Sequence, residues 1–504
     1  MFGKIKHLIF VLLVIIAGSN SPAYALQTIQ AGEYSISFKG GDFDKSIMKG
    51  NLTGVTFYQH QKKVASAKSV YFDHNLKNAN FDVGDGITEA KIKLSFEKLA
   101  WLIEEGVKIN VDKGILKFSI NYNNRRITGG QFSMSSKNLN FQGDLPIQSN
   151  DQAPKLNKIK GNVGIVNINA SIYPDRLHLQ DMQLDDLKLD WMTGGFGASL
   201  KNMSLNDVVV GLEKFEYNPL KNSQSITQLF GVAVNTDINE WRMEDFKITF
   251  GKGFQNKIDV VSISNWAVNN CWGYSLLTRE VPSHVCSGSF NNISINKRSI
   301  EQLFPEFAEA LSQNGVNNLK LDVATETSIK NVEDSYDIQY INTAKVENFG
   351  AFKLKSNVST NQRLFAEMVA LEKRLPSGED NQTIYLNKLL PYLDMSFLHE
   401  WNVTIKDDGL LDIAHSFIKN KSPAFSQMSR YQLSVEVEKM ITEALKGQPG
   451  LSDMLNPSIS RFINGAGEIS LTINPQGEMS VYERVKLISD FDDFIAMFNV
   501  KLVN

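Results

Sequence analysis

Apolar residues along this chain alternate with polar ones, slip by one position at a polar pair, and then alternate again. Two eleven-residue copies show it best. In the first, Leu179, Met182, Leu184, Leu187 and Leu189 surround Asp185-Asp186. In the second, Leu200, Met203, Leu205, Val208 and Val210 surround Asn206-Asp207. A helix has no use for such a slip. A strand does, because a β-bulge or corner at the polar pair restores the face that points inward. The core of the pattern recurs at Ala65–Phe72, at Trp241, Met243, Phe246 and Ile248, and at Ala344–Ala351. One supersecondary unit, a bulged strand, is therefore expected several times over.

Between residues 26 and 295 the texture predicts short strands parted by Asn and Gly, among them Tyr34–Phe38, Gly50–Tyr58, Ala90–Ser95, Ile115–Ile120, Gly130–Met134, Ile165–Ile172, Leu212–Tyr217 and Ile258–Ser264. Gly194-Gly195-Phe196-Gly197 reads as a hairpin turn, and Ser149–Asn157 as a polar loop. Phe96, Leu99, Ala100 and Ile103 fall at helical spacing with Gly106 as a stop, which predicts one early helix. From residue 296 an apolar stripe (Ile300, Leu303, Phe304, Phe307, Ala308, Leu311) predicts an amphipathic helix ended by Asn314-Gly315, with Pro305 starting or kinking a segment. Strands follow at Leu319–Val323, Thr325–Ile329, Asp337–Tyr340, Val346–Phe349 and Phe352–Val358. From about 361 to 464 helices are expected to dominate, with apolar faces at Leu364, Met368, Leu371 and at Leu433, Val437, Met440, Ile441, Ala444, Leu445. The chain returns to a strand at Glu468–Ile473, a helix over Val481–Phe498, and Val500–Val503.

The expected class is α+β, mainly β: a long curled antiparallel sheet of repeated bulged strands, with helices concentrated in the C-terminal part. Short strands joined by Asn/Gly turns favour antiparallel pairing over βαβ units. The expected divisions are 1–25, a β-rich part at 26–295, and a mixed α/β part at 296–504 packing on the same sheet.

Residues 1–25 have the form of a cleavable signal peptide: basic Lys4 and Lys6, an apolar run from Ile9 to Ala17, and the small-x-small site Ala23-Tyr24-Ala25. The run is short for a span of about 20 residues, and no later stretch approaches one. Export with no integral span after cleavage is thus expected. An outer-membrane barrel is not, since the aromatic girdles are missing. Outside residues 1–25 stand 50 basic and 55 acidic residues. This weak, mixed charge without a basic block does not suit a nucleic-acid binder. Cys271 and Cys286 are the only cysteines. In an exported chain such a pair reads as a disulfide closing the excursion Trp272–Val285.

No catalytic, cofactor or metal site is expected. His60, His74, His178, His284, His399 and His415 are scattered without ligand spacing. Asp412 and His415 share a helix face, a pattern more often a surface ion pair than a metal or proton site. The glycines at 194–197 match neither a dinucleotide nor a Walker loop, and Gly-x-Ser-x-Gly is absent. The apolar repeats themselves are either filled core or the wall of an apolar groove; both demand similar sequences.

The signal peptide, the repeated apolar-x-apolar-x-x-apolar-x-apolar strands and the missing catalytic motif resemble the AsmA-like group of Gram-negative envelope proteins. The last 190 or so residues are similar to exported proteobacterial proteins of uncharacterised function, through the helix–Gly–strand of Leu311–Leu321, Asp408-Gly-Leu-Leu-Asp412 and Asn474-Pro475. The resemblance implies a periplasmic protein that carries lipid or another amphiphile along an apolar β groove, in lipid transport or outer-membrane maintenance. AsmA-like proteins usually keep an uncleaved N-terminal anchor, from which Ala23-Tyr-Ala25 departs. The groove wall would be the fourteen apolar residues named above at positions 179–210 and 241–248. The alternative expectation is a non-catalytic envelope adaptor with protein partners, contacting them through the Cys271–Cys286 loop and Trp266, Trp272 and Tyr274.

Overall fold

The computed structural model describes residues 27–31, 34–42, 44, 49–74, 88–102, 107–123, 126–149, 152–191, 195–211, 236–250, 258–272, 283–333, 335–361, 394, 396–421, 425 and 427–504. The chain is mainly β, with antiparallel strand pairing among the described residues and the helices in its C-terminal part. It divides into two compact units, residues 1–214 with 241–259, and residues 215–240 with 260–504.

Unit 1 is a meander. After the hairpin β1 (Gln27–Ala31) and β2 (Tyr34–Phe38) and the short β3 (Gly40–Gly41) come β4 (Gly50–Gln59), β5 (Lys62–His74), β6 (Thr88–Leu102), β7 (Lys108–Asn123), β8 (Arg126–Ser149), β9 (Gln152–Ile172), β10 (Arg176–Trp191) and β11 (Phe196–Gly211). From β4 to β11 each strand pairs with the next. The next strand, β12 (Thr236–Phe250), enters unit 1 at Trp241.

The polar-pair slip has a definite backbone form. At Asp185-Asp186 the β10–β11 ladder passes from Asp185↔Asn202 to Leu187↔Leu200 with no shift of register. No extra residue is inserted there. Asp186 instead adopts a left-handed conformation (φ 53°), and Asp207 does the same (φ 52°). The device recurs on every second strand, at Gly54 in β4, Lys98 in β6, Asn138 in β8, Asp186 in β10 and Asp245 in β12. The ladders set Gly54 to Asp186 at one level, facing Lys68, Asp112, Gly164 and Lys201 of the strands between. Asn and Asp tolerate this conformation best after Gly, because their short polar groups bond locally. Lys98 holds it with its ammonium 2.7 Å from Asp112, which also accepts from Asn138 at 3.0 Å. These two bonds hold the Asp112 carboxyl below the usual carboxylate range.

The consequence is a constant face. Leu52 and Val55, Ala67 and Val70, and Phe96 and Leu99 flank the crossing level in β4, β5 and β6, yet all six pack in one cluster with Ile36, Phe38 and Val111. Regular alternation would place each such pair on opposite faces. Register shifts do occur elsewhere, at Leu179/Asp181 between β9 and β10 and at Asn121/Tyr122 between β7 and β8. Because L-residues other than Asn and Asp are strained here by about 1–2 kcal/mol, Asp186→Val is expected to lower unfolding stability by about 2 kcal/mol. Asp186→Gly is expected to leave it level or raise it. Urea midpoints ranking Gly below Val would contradict the left-handed assignment.

The same device explains a miscast element. Phe96, Leu99 and Ala100 lie in strand β6, not in a helix. The left-handed Lys98 moves the alternation by one, and the resulting spacing of three and four imitates a helical face. Ile103 and Gly106 lie outside the described residues. The stretch expected as a loop at 149–157 is strand except at 150–151, which lie outside the described residues.

Unit 2 continues with β13 (Ile258–Trp272), β14 (Ser283–Asn296), helices α1 (Lys297–Leu303) and α2 (Pro305–Gln313), then β15 (Asn318–Val332), β16 (Ser335–Val346), β17 (Gly350–Asn361) and β18 (Ser396–Asp407). Helices α3 (Leu410–Lys421), α4 (Arg430–Ala444) and α5 (Pro449–Arg461) follow, the last running into a π-turn at Phe462–Ala466. The chain ends with β19 (Glu468–Ile473), α6 (Val481–Leu487), α7 (Phe491–Phe498) and β20 (Val500–Val503). Pro305 starts α2, and Gly315 (φ 73°) follows its end. Ile300, Ala308, Leu311, Phe349 and Ile413 bind α1, α2 and α3 into one core, against which Ile295, Leu319 and Val346 pack from the strands.

Four expectations change here. The Ala344–Ala351 copy is not one strand: Ala344–Val346 end β16, Glu347–Phe349 turn with Asn348 left-handed (φ 62°), and Gly350 and Ala351 begin β17. Leu319–Val323 and Thr325–Ile329 form one strand. Strand β18 interrupts the stretch expected to be helical, and Leu364, Met368 and Leu371 lie outside the described residues. The terminal helix is two, parted at Ile488–Asp490, where Asp490 caps α7 through the Asp493 amide at 2.9 Å.

Candidate functional site

The register places most of the candidate groove residues together. Across β10 and β11, Leu179 pairs with Val208, Met182 with Leu205, Leu184 with Met203 and Leu187 with Leu200; Leu189 meets Ala198, and Val210 meets Leu177. The ion pair Lys201–Asp245 (3.7 Å) and the ring contact Phe196–Phe250 (4.9 Å) tie β12 alongside. These contacts lie five residues apart on each strand and run in opposite directions. Trp241, Met243, Phe246 and Ile248 thereby lie on the strand beside β11.

The apolar rows extend beyond the repeats. Leu116, Met134, Ile168, Met182 and Leu205 are successive cross-strand partners from β7 to β11, and so are Phe118, Phe132, Ala170, Leu179 and Val208. Leu116 packs on the core of β2–β7, so these rows continue the same face. Cover differs along it. Ile36, Leu52, Val55 and Val70 are at most 1% exposed, whereas Leu179, Met182, Leu184, Leu187, Leu189, Met203, Leu205, Trp241, Phe246 and Ile248 are half-buried. Leu200, Val208 and Met243 are the buried members of the set.

The opposite face of β8–β11 is a polar ladder. Ser135 bonds Asn167 at 2.8 Å, Asn169 bonds Asp181 at 2.8 Å, and Asn202 bonds Asp185 at 2.5 Å. Unit 2 is divided likewise. Val323, Ala344, Phe352, Ile405 and Ile469 are successive partners across β15–β19. The other face carries the pair Lys355–Glu400 (2.7 Å) and the Thr404–Ser470 bond (2.8 Å).

That polar face holds a constellation not foreseen from sequence. Ser359 Oγ lies 2.5 Å from Asp337 Oδ1 and 2.6 Å from His399 Nε2. A register shift at Asn357/Val358 leaves His399 unpaired in the ladder and turns it to the same side as Glu400. The order differs from a nucleophile relay. There the carboxylate orients the imidazole; here the carboxylate accepts the serine hydroxyl's hydrogen bond and does not touch the imidazole. The residues lie 22 and 40 positions apart, so only strand register could have joined them.

The pair Asp412/His415 separates. His415 Nε2 bonds Met428 O at 2.9 Å, and Asp412 pairs with Arg430 at 2.6 Å, so both tie α3 to the start of α4. Asp408-Gly-Leu-Leu-Asp412 is a strand-to-helix turn. Asp407 accepts from the Gly409 and Leu411 amides at 3.1 and 3.0 Å, and a Cβ at Gly409 would stand 2.5 Å from Asn348 O. Gly195 (φ 70°) lies in the β10–β11 turn.

Cys271 and Cys286 form a disulfide with a Cα separation of 4.4 Å, joining β13 to β14 next to the ladder pair Asn269↔Ser287. His284 is buried beside it, and burial pushes its imidazole below the usual range against the opposing pull of Asp237. Trp266 stacks on Phe290 at 4.9 Å within the sheet; residues 273–282, Tyr274 included, lie outside the described residues. Among the described residues no group of three or more His, Cys, Asp or Glu side chains is placed to hold a metal, and no helix is long and apolar enough to cross a membrane. Neither a protein-family model nor a curated protein matches the chain.

Proposed function

We propose that this is an exported envelope protein of a Gram-negative periplasm, and that the β8–β12 face of unit 1 binds lipid or another amphiphile. The carrying observation is the contrast along one continuous face. It is fully covered at Ile36, Leu52, Val55 and Val70 and half-buried at Met182, Leu184, Met203 and Leu205, while its reverse is polar. Half-covered Leu, Met and Phe side chains gain by covering an acyl chain, at about 0.8 kcal/mol per methylene removed from water. Methionines at 134, 182, 203 and 243 suit a wall that accepts chains of varied shape. The left-handed residues serve the same end, since they keep apolar groups on one side of strands 15 or more residues long. The disulfide fits an oxidising compartment outside the cytosol, as does the form of residues 1–25.

Delipidated protein is expected to take up a fluorescent fatty acid or phospholipid, and Met182→Glu/Met203→Glu to weaken uptake at least tenfold. Both side chains are half-buried, so the double variant keeps its fold, checked by circular dichroism. No uptake by the parent protein, or equal uptake by the variant, would sink the reading.

A further inference from the structure

On the polar face of unit 1, lysine stands directly opposite lysine twice. Lys93 of β6 pairs with Lys117 of β7, and Lys113 of β7 pairs with Lys137 of β8. All four are exposed. Like charges at directly opposed positions destabilise a sheet, and the acids at hand offset this only in part. Asp73, across from Lys93, is engaged by Lys49 at 3.2 Å. Glu97 is shared by Lys68 (3.7 Å) and Lys113 (3.6 Å), and Asp112 is engaged by Lys98 at 2.7 Å. Among the described residues, Lys49, Lys93 and Lys117 thus face one acid, while Lys68, Lys98, Lys113 and Lys137 face two. Two ordinary uses of surface lysine do not account for the pattern. Strands β6, β7 and β8 each have a partner on both sides, so the charges blunt no sheet edge. Solubility is met without charge on the same rows of β8 and β9, by Ser133, Asn169, Ser135 and Asn167.

The row between the two lysine pairs is uncharged: Tyr71, Ser95, Ile115 and Ser135 are successive partners, and Ile115 is 40% exposed. The pairs are offset by four residues along β7 and by one strand across it. At about 3.4 Å per residue and about 4.8 Å per strand, their centres lie about 14 Å apart. We propose that this face binds a saccharide carrying two phosphate groups, one held between Lys93 and Lys117 and the other between Lys113 and Lys137. An ammonium is a compact charge with three donors, and two of them match a phosphate dianion. The sugar body lies on the uncharged row, with Ile115 against a ring face and the hydroxyls of Ser95 and Ser135 bonding those of the sugar. A continuous polyanion would instead lay charge over Ile115 with no cation beneath it. The site is on the reverse of the amphiphile face and stands without that reading.

The test is isothermal titration calorimetry of the full chain at low salt. The probes are trehalose phosphorylated on both primary hydroxyls, trehalose phosphorylated on one, and linear polyphosphate. The doubly phosphorylated sugar is expected to bind at least tenfold tighter than the singly phosphorylated one, and high salt to shrink that advantage. Lys93→Gln/Lys117→Gln and Lys113→Gln/Lys137→Gln are each expected to erase it, so that both sugars bind alike. Each variant removes a cross-strand repulsion, so its urea midpoint without ligand is expected to equal or exceed the parent's, which separates lost binding from lost fold. Lys188→Gln/Lys201→Gln, the same charge change on β10 and β11, is expected to leave binding unchanged. Fatty-acid uptake is expected to be the same in all three variants, which keeps this test apart from that of the amphiphile site. A parent that binds neither sugar, or both equally, overturns the site. So does a preference for the doubly phosphorylated sugar that survives either lysine-pair variant, or one that the control variant weakens as much. Polyphosphate bound as tightly as that sugar overturns the saccharide assignment.

Discussion

Arg484→Ala is expected to cost unit 2 about 4 kcal/mol, a sum of lost charged hydrogen bonds and stranded acceptors. Arg484 is 4% exposed. Its guanidinium donates to Gln476 O (2.6 Å), Met497 O (2.7 Å), Gly477 O (3.2 Å) and Met479 O (3.3 Å). It thus closes the last turn of α7 onto the chain that enters α6. The planar fork meets acceptors on several sides at once, which a lysine head cannot do. Arg484→Lys is therefore expected to recover less than half of the loss. Arg484→Met, which fills much of the volume, is expected to recover little, since the four carbonyls stay unpaired. Amide exchange over residues 476–500 should quicken in all three. A Met variant within about 1 kcal/mol of the parent in urea unfolding would mean that packing, not these bonds, holds the closure.

Nothing in the sequence marks Arg484 for this task. It stands in an ordinary helical stretch, and its acceptors are backbone atoms brought near by tertiary folding. The caps nearby are set by residues close in sequence. Ser480 with Glu483 and Ser429 with Gln432 are capping boxes, each satisfying amides at both ends of a four-residue motif. Local patterns of this sort, the antiparallel meander and the apolar repeats could be read directly, because alternation and capping are properties of neighbouring residues. The face of Leu179, Met182, Leu184 and Leu187 was legible for that reason. Its mechanism was not: a bulge and a single left-handed residue shift alternation equally, and only the ladder tells them apart. Lys98 shows the cost of that ambiguity, since its shift turned strand β6 into an apparent helix. Asp337, Ser359 and His399 show a second limit. Their meeting depends on the register of three strands and on the shift at Asn357/Val358.

The Cys271–Cys286 bridge carries the second large expected effect, a loss of about 3 kcal/mol on reduction or in Cys271→Ser/Cys286→Ser. The residues lie 15 apart, and the stabilisation comes chiefly from restricting the unfolded chain, so it follows from that separation. The native state adds its own share. The bridge stands next to the Asn269↔Ser287 pair, and Asn270 is left-handed (φ 52°), so it clamps the two strands where the β13 backbone departs from regular extension. Without it, β14 from Ser283 to Ser287 still pairs with β15 through Lys330 to Glu326. The loss should therefore fall on the β13 side, as faster amide exchange over residues 266–271 and not over 326–330. Urea unfolding of oxidised and reduced protein is expected to give midpoints separated by the equivalent of that energy at equal slope. Coincident curves would show that the unfolded chain is already restricted there. Faster exchange in β15 as well would show that the bridge supports the sheet beyond its own hairpin.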